Sequence, residues 1–306
     1  MPITKDAQRA GCALVMISVI IIVKGDRRIS NTLHSLADSA LDHSAFETVV
    51  VDASPGPQDV KQSFPDVTWI RFCGHGQKVT IPEQRNVGVR ASSGSVLAFI
   101  DADCKAEVDW LEQLTRPILL GEEYITAGSC VAVPSSYMVL REMTSSQYMD
   151  ECATMNMAVS RKVFDSVGLF DEDFERVSDS EFCFRARKAG YRIRAVPQAV
   201  IYHDWGGARA NIRRSYGSGA GRARLYRKHP DAILSRSFYH NRKNVYSIVY
   251  GAYALFLPIS VIFPLYLLLP FCASVLFRRN PWKEVVNVVY GIGLVRGILH
   301  RGKPTG

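Results

Sequence analysis

Residues 95–111 read SVLAFIDADCKAEVDWL. The stretch begins as an apolar strand, Leu97 to Ile100, and then meets two carboxylates, Asp101 and Asp103. Side chains two positions apart on a strand share a face, so both carboxylates are expected to point the same way. Mg²⁺ and Mn²⁺ bind such oxygens and take phosphate oxygens as further ligands. This D-x-D pattern at a strand end therefore predicts a metal that holds a diphosphate.

Strands and helices alternate on both sides of that stretch. Buried strands are predicted by three runs rich in β-branched residues: ISVIIIV (17–23), FETVVVD (46–52) and VTWIRF (67–72). Thr80 and Glu83 form the capping-box pattern of a helix that leads into Asp101. The alternation predicts an α/β fold with a Rossmann-like, mostly parallel sheet and helices on both faces. Ligands of such sheets lie beyond the carboxyl ends of the strands, where Asp52 and Asp101 stand.

A second capping-box pattern surrounds Asp179. Ser178 and Glu181 predict a helix start, which places Asp179 in the first helical turn. The helix dipole there stabilises an ionised carboxylate. The residue pattern leaves two roles open for Asp179, that of an ordinary cap and that of a catalytic base. It likewise leaves His203, after a short predicted strand, open as a ligand or a structural histidine.

Charge and cysteine content limit the partners. The chain has 306 residues, a net charge of +8 and an isoelectric point near 9.1. Arg and Lys crowd positions 209–243 and recur at 278–283, on both sides of the most apolar stretch. This arrangement favours membrane lipids as a partner, and without a recognised nucleic-acid motif we expect no nucleic acid. The seven scattered cysteines lack zinc-site spacing and indicate a reducing compartment.

The stretch from Val245 to Phe277 contains no charged residue. As one helix it would be about 50 Å long, more than the ~30 Å of a bilayer core, but Pro258, Pro264 and Pro270 interrupt it. Basic residues on both sides favour a re-entrant or interfacial helical pair over a single crossing. Two short crossings and a buried core hairpin remain open. We therefore expect four regions: an N-terminal extension (1–15), the α/β domain (16–208), a basic amphipathic juxtamembrane segment (209–244) and membrane-associated helices (245–306).

Six segments stand in the order typical of family 2 glycosyltransferases of the GT-A fold. They are ISVIIIVK (17–24), VVVDAS (49–54), RNVGVRASSGSVLAFIDADC (85–104), NMAVSRKVFDSVGLFDEDF (156–174), SDSEFCFRARKAGYRI (178–193) and AVIYH (199–203). The chain resembles this family over about two thirds of its length. The resemblance adds a GT-A fold to the expectations and assigns roles to individual residues.

Those roles fall into three groups. On the nucleotide-sugar side, the resemblance implies Val23, Asp52, Arg85 and Asp101. As ligands of Mg²⁺ or Mn²⁺, it implies Asp101, Asp103 and His203. As the general base of an inverting reaction, it implies Asp179.

The resulting prediction is a membrane-associated, metal-dependent, inverting glycosyltransferase with its catalytic domain in the cytoplasm. It would move a sugar from a nucleoside-diphosphate sugar to a hydroxyl group, with a lipid-linked or cell-envelope glycan as the acceptor. One alternative is a membrane-anchored nucleotide-sugar or polyanion binding module in which Asp179 only caps its helix. A nucleotidyltransferase is a weaker alternative, because VKGDRRISN (23–31) is a poor phosphate-binding loop.

Overall fold

The computed structural model describes residues 16–56, 59–74, 78–133, 148–234, 242–276 and 280–300. The predicted N-terminal extension, 1–15, lies outside these residues. The chain divides into two compact units. The first comprises the described residues up to Val133, those of 148–173 and those of 178–204, and the second comprises 174–177 and the described residues from Trp205 onward. The main division lies between Asp204 and Trp205, and the predicted end of the α/β domain at residue 208 stays a prediction.

A nine-stranded sheet forms the centre of the first unit in the described part of the chain. In chain order its strands are β1 (Ile17–Val23), β2 (Phe46–Asp52), β3 (Thr68–Arg71), β4 (Val96–Asp101), β5 (Cys104–Ala106), β6 (Ile125–Ala132), β7 (Tyr148–Met149), β8 (Asn156–Ser160) and β9 (Ile193–His203). The order across the sheet is β3-β2-β1-β4-β8-β6-β9-β5, and β7 pairs with β9.

The sheet is mixed, so the prediction of a mostly parallel sheet is correct only for its first half. Strands β3, β2, β1 and β4 run parallel to one another. Strand β8 is antiparallel to both β4 and β6, and β9 is parallel to β6 but antiparallel to β5. Parallel pairing needs a long crossover, usually a helix. In the described residues no helix separates β7 from β8, so the second half lacks the regular crossover pattern of the first.

Helices cover both faces of the sheet, as the alternation predicted. The helices of this unit are α1 (Ile29–Ala37), α2 (Ile81–Ala91), α3 (Trp110–Leu119), α4 (Arg161–Val167) and α5 (Ser178–Lys188). On one face, Leu33 of α1 and Trp110 of α3 share a core with β1 and β4. On the other face, Phe182 of α5 packs with Phe164 of α4 and Phe99 of β4. Alternate residues of the central strands supply the two cores.

The strand register brings the carboxyl ends of four parallel strands to one edge of the sheet. Val23 of β1 lies opposite Asp52 of β2, and Ile22 lies opposite Asp101 of β4. Asp52 in turn lies opposite Arg71 of β3. Asp52 and Asp101 therefore stand at the same edge, where ligands of such sheets bind.

The second unit is helical in its described residues. It contains α6 (Ala208–Lys228), α7 (Asp231–Leu234), α8 (Arg242–Leu255), two 3₁₀ turns (Leu257–Val261 and Pro264–Leu268), α9 (Leu269–Leu276) and α10 (Pro281–Leu299). Helices α6 and α10 approach within backbone contact: a Cβ on Gly219 would lie 2.0 Å from the carbonyl oxygen of Tyr290, and one on Gly293 would lie 2.2 Å from that of Tyr216.

The predicted membrane region, 245–306, can be examined through the length and hydropathy of its described helices. Among the described residues, none of the helices combines the length and the apolar character that crossing a bilayer requires. The expectation of membrane-associated helices in this region stays a prediction.

Candidate active site

Asp103 and His203 meet beyond the carboxyl end of β4. A two-residue turn, Ala102 and Asp103, leads from β4 into β5, and β5 pairs with the end of β9 so that Cys104 lies opposite His203. The Nε2 atom of His203 is 3.2 Å from Oδ1 of Asp103. The antiparallel pairing of β5 and β9 thus joins two predicted ligands that are far apart in the sequence.

The donor atoms around Asp103 fit a divalent metal. Ligand atoms of Asp103, Cys104 and His203 all lie within 4.8 Å of one another. A carboxylate oxygen and an imidazole nitrogen suit Mn²⁺, and the oxygen also suits Mg²⁺. Burial, together with the charges of Asp101 and Asp103, raises the pKa of the Cys104 thiol far above its usual range. Because a protonated thiol is a poor ligand, the arrangement favours Asp103 and His203 over Cys104.

Arg28 is a site residue that the sequence interpretation missed. Its guanidinium lies 2.6 Å from Asp26, 3.3 Å from Asp103 and 2.9 Å from Asp204. The hydrogen bonds from Arg28 lower the pKa of Asp26. The neighbouring carboxylates raise the pKa of Arg28, so it stays charged. Its position after β1, at the carboxyl edge of a predicted parallel sheet, was the signal that could have identified it.

Asp101 and Arg85 form the next pair along the edge. The Nη2 atom of Arg85 lies 3.3 Å from Oδ1 of Asp101, whose side chain is 33% exposed. Burial raises the pKa of Asp101, while the charge of Arg85 opposes that rise. Arg85 is itself buried and lies over the ring of Phe170, 5.9 Å from its centroid. The structure therefore brings together two residues predicted for the nucleotide-sugar side.

Asp52 is buried and held in one orientation. Its Oδ1 accepts a hydrogen bond from the backbone N–H of Ser54 at 2.8 Å, and its Oδ2 lies 3.3 Å from Nη1 of Arg71. Arg71 was also missed by the sequence interpretation, although its place at the end of the neighbouring parallel strand was a usable signal. Val23 has its side chain in the core, and its carbonyl oxygen accepts hydrogen bonds from Ala53 N and Gln84 Nε2.

Asp179 stands apart from these pairs in its contacts. It lies half-buried in the first turn of α5, as predicted, and its Oδ1 accepts a hydrogen bond from the backbone N–H of Ser180 at 2.8 Å. Among the described residues, no hydrogen bond or ion pair connects it to Asp101 or Asp103. Glu181 is fully buried and forms a two-pronged ion pair with Arg185, at 2.7 and 2.8 Å.

An aromatic cluster fixes α5 against the sheet. The ring of Phe182 stacks on Phe164 at 4.8 Å and lies 4.9 Å from Phe170, which in turn meets Phe99 of β4 edge-on at 5.6 Å. Phe99 is two residues before Asp101, and Phe182 is three residues after Asp179. Packing in the core therefore links the strand that ends at the carboxylate pair to the helix that carries Asp179.

A comparison against protein families covers the region that contains this fold and this site. Residues 18–218 match the model described as Glycosyl transferase family 2. The chain belongs to glycosyl transferase family 2. Membership supports an enzyme that transfers a sugar, and it confirms the family predicted from the six segments.

Curated relatives of this glycosyl transferase family 2 chain are distant. Glycosyltransferase AglE of Haloferax volcanii is 25% identical over 204 residues, which cover 62% of this chain and 67% of AglE. N-acetylgalactosaminyltransferase 7 of Drosophila melanogaster is 27% identical over 109 residues, which cover 33% of this chain and 18% of that protein.

Two solved structures resemble the family 2 chain in fold. The crystal structure of S. aureus TarS has a TM-score of 0.52 at 14% identity and covers 90% of this chain. A crystal structure of GalNAc-T7 with UDP, GalNAc and Mn²⁺ has a TM-score of 0.53 at 15% identity and covers 72% of this chain. The chain spans 55% and 51% of these two proteins. At such identities the likeness shows the fold alone, which is the predicted α/β, GT-A-like fold.

Proposed function

We propose that the chain transfers a sugar from a nucleoside-diphosphate sugar to a hydroxyl group, with inversion at the anomeric carbon and with Mg²⁺ or Mn²⁺ in the site. The observation that carries this proposal is the 3.2 Å approach of His203 to Asp103 beyond β4. Asp103, His203 and Asp101 would hold the metal. When bound, the metal would stabilise the negative charge on the departing diphosphate. The Mn²⁺ and UDP in the GalNAc-T7 structure support this choice of ligands by analogy.

The nucleotide would lie along the edge formed by β1, β2 and β3. Asp52 is fixed between Ser54 and Arg71, so its carboxylate can accept hydrogen bonds from a base in a set direction. Arg85 can offer positive charge beside Asp101. Val23 would contribute through its backbone, because its side chain belongs to the core.

Asp179 is the proposed general base. Its carboxylate would accept the proton of the acceptor hydroxyl while that oxygen forms a bond to the anomeric carbon and the bond to the diphosphate breaks. Attack from the side opposite the leaving group inverts the anomeric configuration. Support comes from its half-buried place on a helix that the aromatic cluster packs firmly. A rigid element holds a catalytic group more closely than a loop does.

We also propose that the acceptor is a lipid-linked or cell-envelope glycan and that the catalytic domain faces the cytoplasm. Support for the acceptor comes from the basic helix α6, on which Arg209, Arg213, Arg227 and Lys228 are exposed. Such a surface suits an anionic, membrane-borne substrate. The cysteines in the described residues are free thiols, in keeping with a reducing compartment.

Asp103→Asn tests the metal and the donor together. The variant should lose metal-dependent binding of nucleoside diphosphates in calorimetry, and sugar transfer should fall by about a hundredfold or more. Its melting temperature should stay close to that of the parent, because Asn preserves the shape of the side chain. Asp165→Asn is the matched control, since Asp165 is exposed on α4. Full transfer by Asp103→Asn, or by the parent in EDTA, would contradict the proposal.

A further inference from the structure

Large apolar side chains are exposed along residues 255–276 of the second unit, here called the apolar segment. Val261 is 84% exposed, Ile262 and Leu265 are each 75% exposed, and Val275 is 78% exposed. In the described residues of the first unit, the exposed large hydrophobic side chains are Val108, Leu120 and Tyr124. Concentrated exposure of this kind marks an interaction surface.

The apolar segment has a defined local structure that is anchored at both ends. Helix α8 precedes its 3₁₀ turns and α9 follows them, and both helices pack against α10. The rings of Tyr253 and Tyr266 stack at 4.8 Å with 13° between their planes. The hydroxyl of Tyr266 also donates a hydrogen bond to the carbonyl oxygen of Tyr253 at 3.0 Å. The two tyrosines therefore close the loop that carries Val261, Ile262 and Leu265.

Polar groups in the segment bond within it. The backbone N–H groups of Ile259 and Ile262 donate to carbonyl oxygens of Phe256 and Ile259, each at 2.9 Å. The hydroxyls of Ser260 and Ser274 donate to carbonyl oxygens three residues earlier, at 2.7 and 2.8 Å. The prolines at 258, 264 and 270 have no N–H to satisfy. Backbone polar groups that enter hydrocarbon must form their hydrogen bonds within the protein, and the groups named here do so.

The distribution of charge around the apolar segment indicates that its binding partner is lipid. Residues 245–276 contain no charged side chain, whereas Arg242, Lys243, Arg278, Arg279 and Lys283 flank them in the sequence. A protein interface of comparable extent carries about one hydrogen bond per 100–200 Å². The two serines already direct their hydroxyls to carbonyl oxygens of the segment, and Tyr266 directs its hydroxyl to the carbonyl oxygen of Tyr253 in α8. An apolar surface between basic flanks complements a leaflet with anionic headgroups.

We propose that the apolar segment inserts into one leaflet of an anionic bilayer, with both basic flanks on the same side. Helix α8 has 14 residues and α9 has 8, so they are about 21 and 12 Å long, shorter than the ~30 Å hydrocarbon core. Since both also dock on α10, the segment enters and leaves at one surface. This inference goes beyond the proposed function, because insertion requires neither donor nor metal.

Vesicle flotation of the full chain tests the insertion. The parent should float with phosphatidylcholine–phosphatidylglycerol vesicles and remain bound at high salt. The double variant Ile262→Glu/Leu265→Glu should partition about tenfold or more weakly, because charges enter hydrocarbon at high cost. Val108→Glu/Leu120→Glu adds the same charges to exposed apolar positions of the first unit and should bind like the parent. Release of the parent by salt, or unchanged flotation of Ile262→Glu/Leu265→Glu, would overturn the proposal.

A second measurement covers the case in which the double variant fails to fold. The fluorescence of a tryptophan introduced by Phe263→Trp should be quenched by lipids brominated on their acyl chains, whereas that of Val108→Trp should not. An unquenched tryptophan at 263 would overturn the proposal, and so would a parent that stays a lipid-free oligomer beside vesicles. Calorimetric binding of nucleoside diphosphates reports separately on the proposed function.

Discussion

Asp179 and Asp103 differ in the contacts that their carboxylates make. Asp103 lies between the imidazole of His203 and the guanidinium of Arg28, and the positive charge of Arg28 offsets part of the negative charge there. Within the described residues, Asp179 accepts a hydrogen bond from the N–H of Ser180, and that bond would form equally well in a helix with no catalytic role. The proposed role of Asp103 therefore rests on contacts with two other site residues, whereas that of Asp179 needs a substitution that separates capping from base catalysis.

Asp179→Asn separates those two roles. The amide oxygen of Asn can still accept the N–H of Ser180, so the free energy of unfolding should change by about 1 kcal/mol or less. A neutral amide cannot accept the acceptor's proton, so transfer should fall roughly a hundredfold or more while donor binding persists. Steady-state transfer, calorimetry and thermal melting measure the three quantities. Asp42→Asn is the control, because Asp42 likewise accepts a backbone N–H, that of Ser44, at 2.9 Å. Unchanged transfer in Asp179→Asn would leave this residue with a capping role only.

Helix α5 carries Asp179, and the packing of this helix in the core sets the position of that carboxylate. Phe182 is fully buried and stacks on Phe164. We expect Phe182→Leu to lower the free energy of unfolding by about 1–2 kcal/mol, because the smaller side chain leaves a cavity. Transfer should fall several-fold more than donor affinity does, since the proposed donor-binding residues lie at the sheet edge and on α2, whereas Asp179 lies on the loosened helix. Phe46→Leu is the control, because Phe46 is half-buried against the core on the opposite face of the sheet. It should lower the free energy of unfolding without reducing transfer more than donor affinity. Equal losses of transfer and donor affinity in Phe182→Leu would contradict this role of α5.

The strands also show which features of the site the sequence could predict. The hydrophobic runs of β1, β2 and β4 predicted a mostly parallel sheet with Asp52 and Asp101 at one edge, because apolar runs and their alternation with helices are local patterns. The antiparallel entry of β8 and the pairing of Cys104 with His203 depend on contacts between distant segments. Arg28 and Arg71 were missed although their places at the carboxyl edge were usable signals, because their contacts with Asp103 and Asp52 become visible only in the folded chain.

The molecule as a whole combines a sheet-centred unit with a helical unit whose packing depends on glycine. Gly293→Ala would place a Cβ 2.2 Å from the carbonyl oxygen of Tyr216, so α6 and α10 would have to separate. Overpacking of this kind costs about 1–3 kcal/mol, and we expect calorimetry to show it in a transition of the helical unit. Gly207→Ala, where nothing lies within 4 Å of an added Cβ, is the control in the same unit. A thermogram of Gly293→Ala that matches the parent would contradict the close approach of the two helices.

Arg28 has a consequence for the order of events in biosynthesis. Carboxylates that are clustered without a cation repel one another, and some metalloproteins fold only after the metal binds. Here the guanidinium of Arg28 lies within 3.3 Å of Asp26, Asp103 and Asp204, so the chain brings its own counter-charge to the pocket. Folding is then expected to be complete before the proposed ion is acquired, so a fall in the cellular supply of divalent ions should suspend the proposed transfer while the chain stays folded.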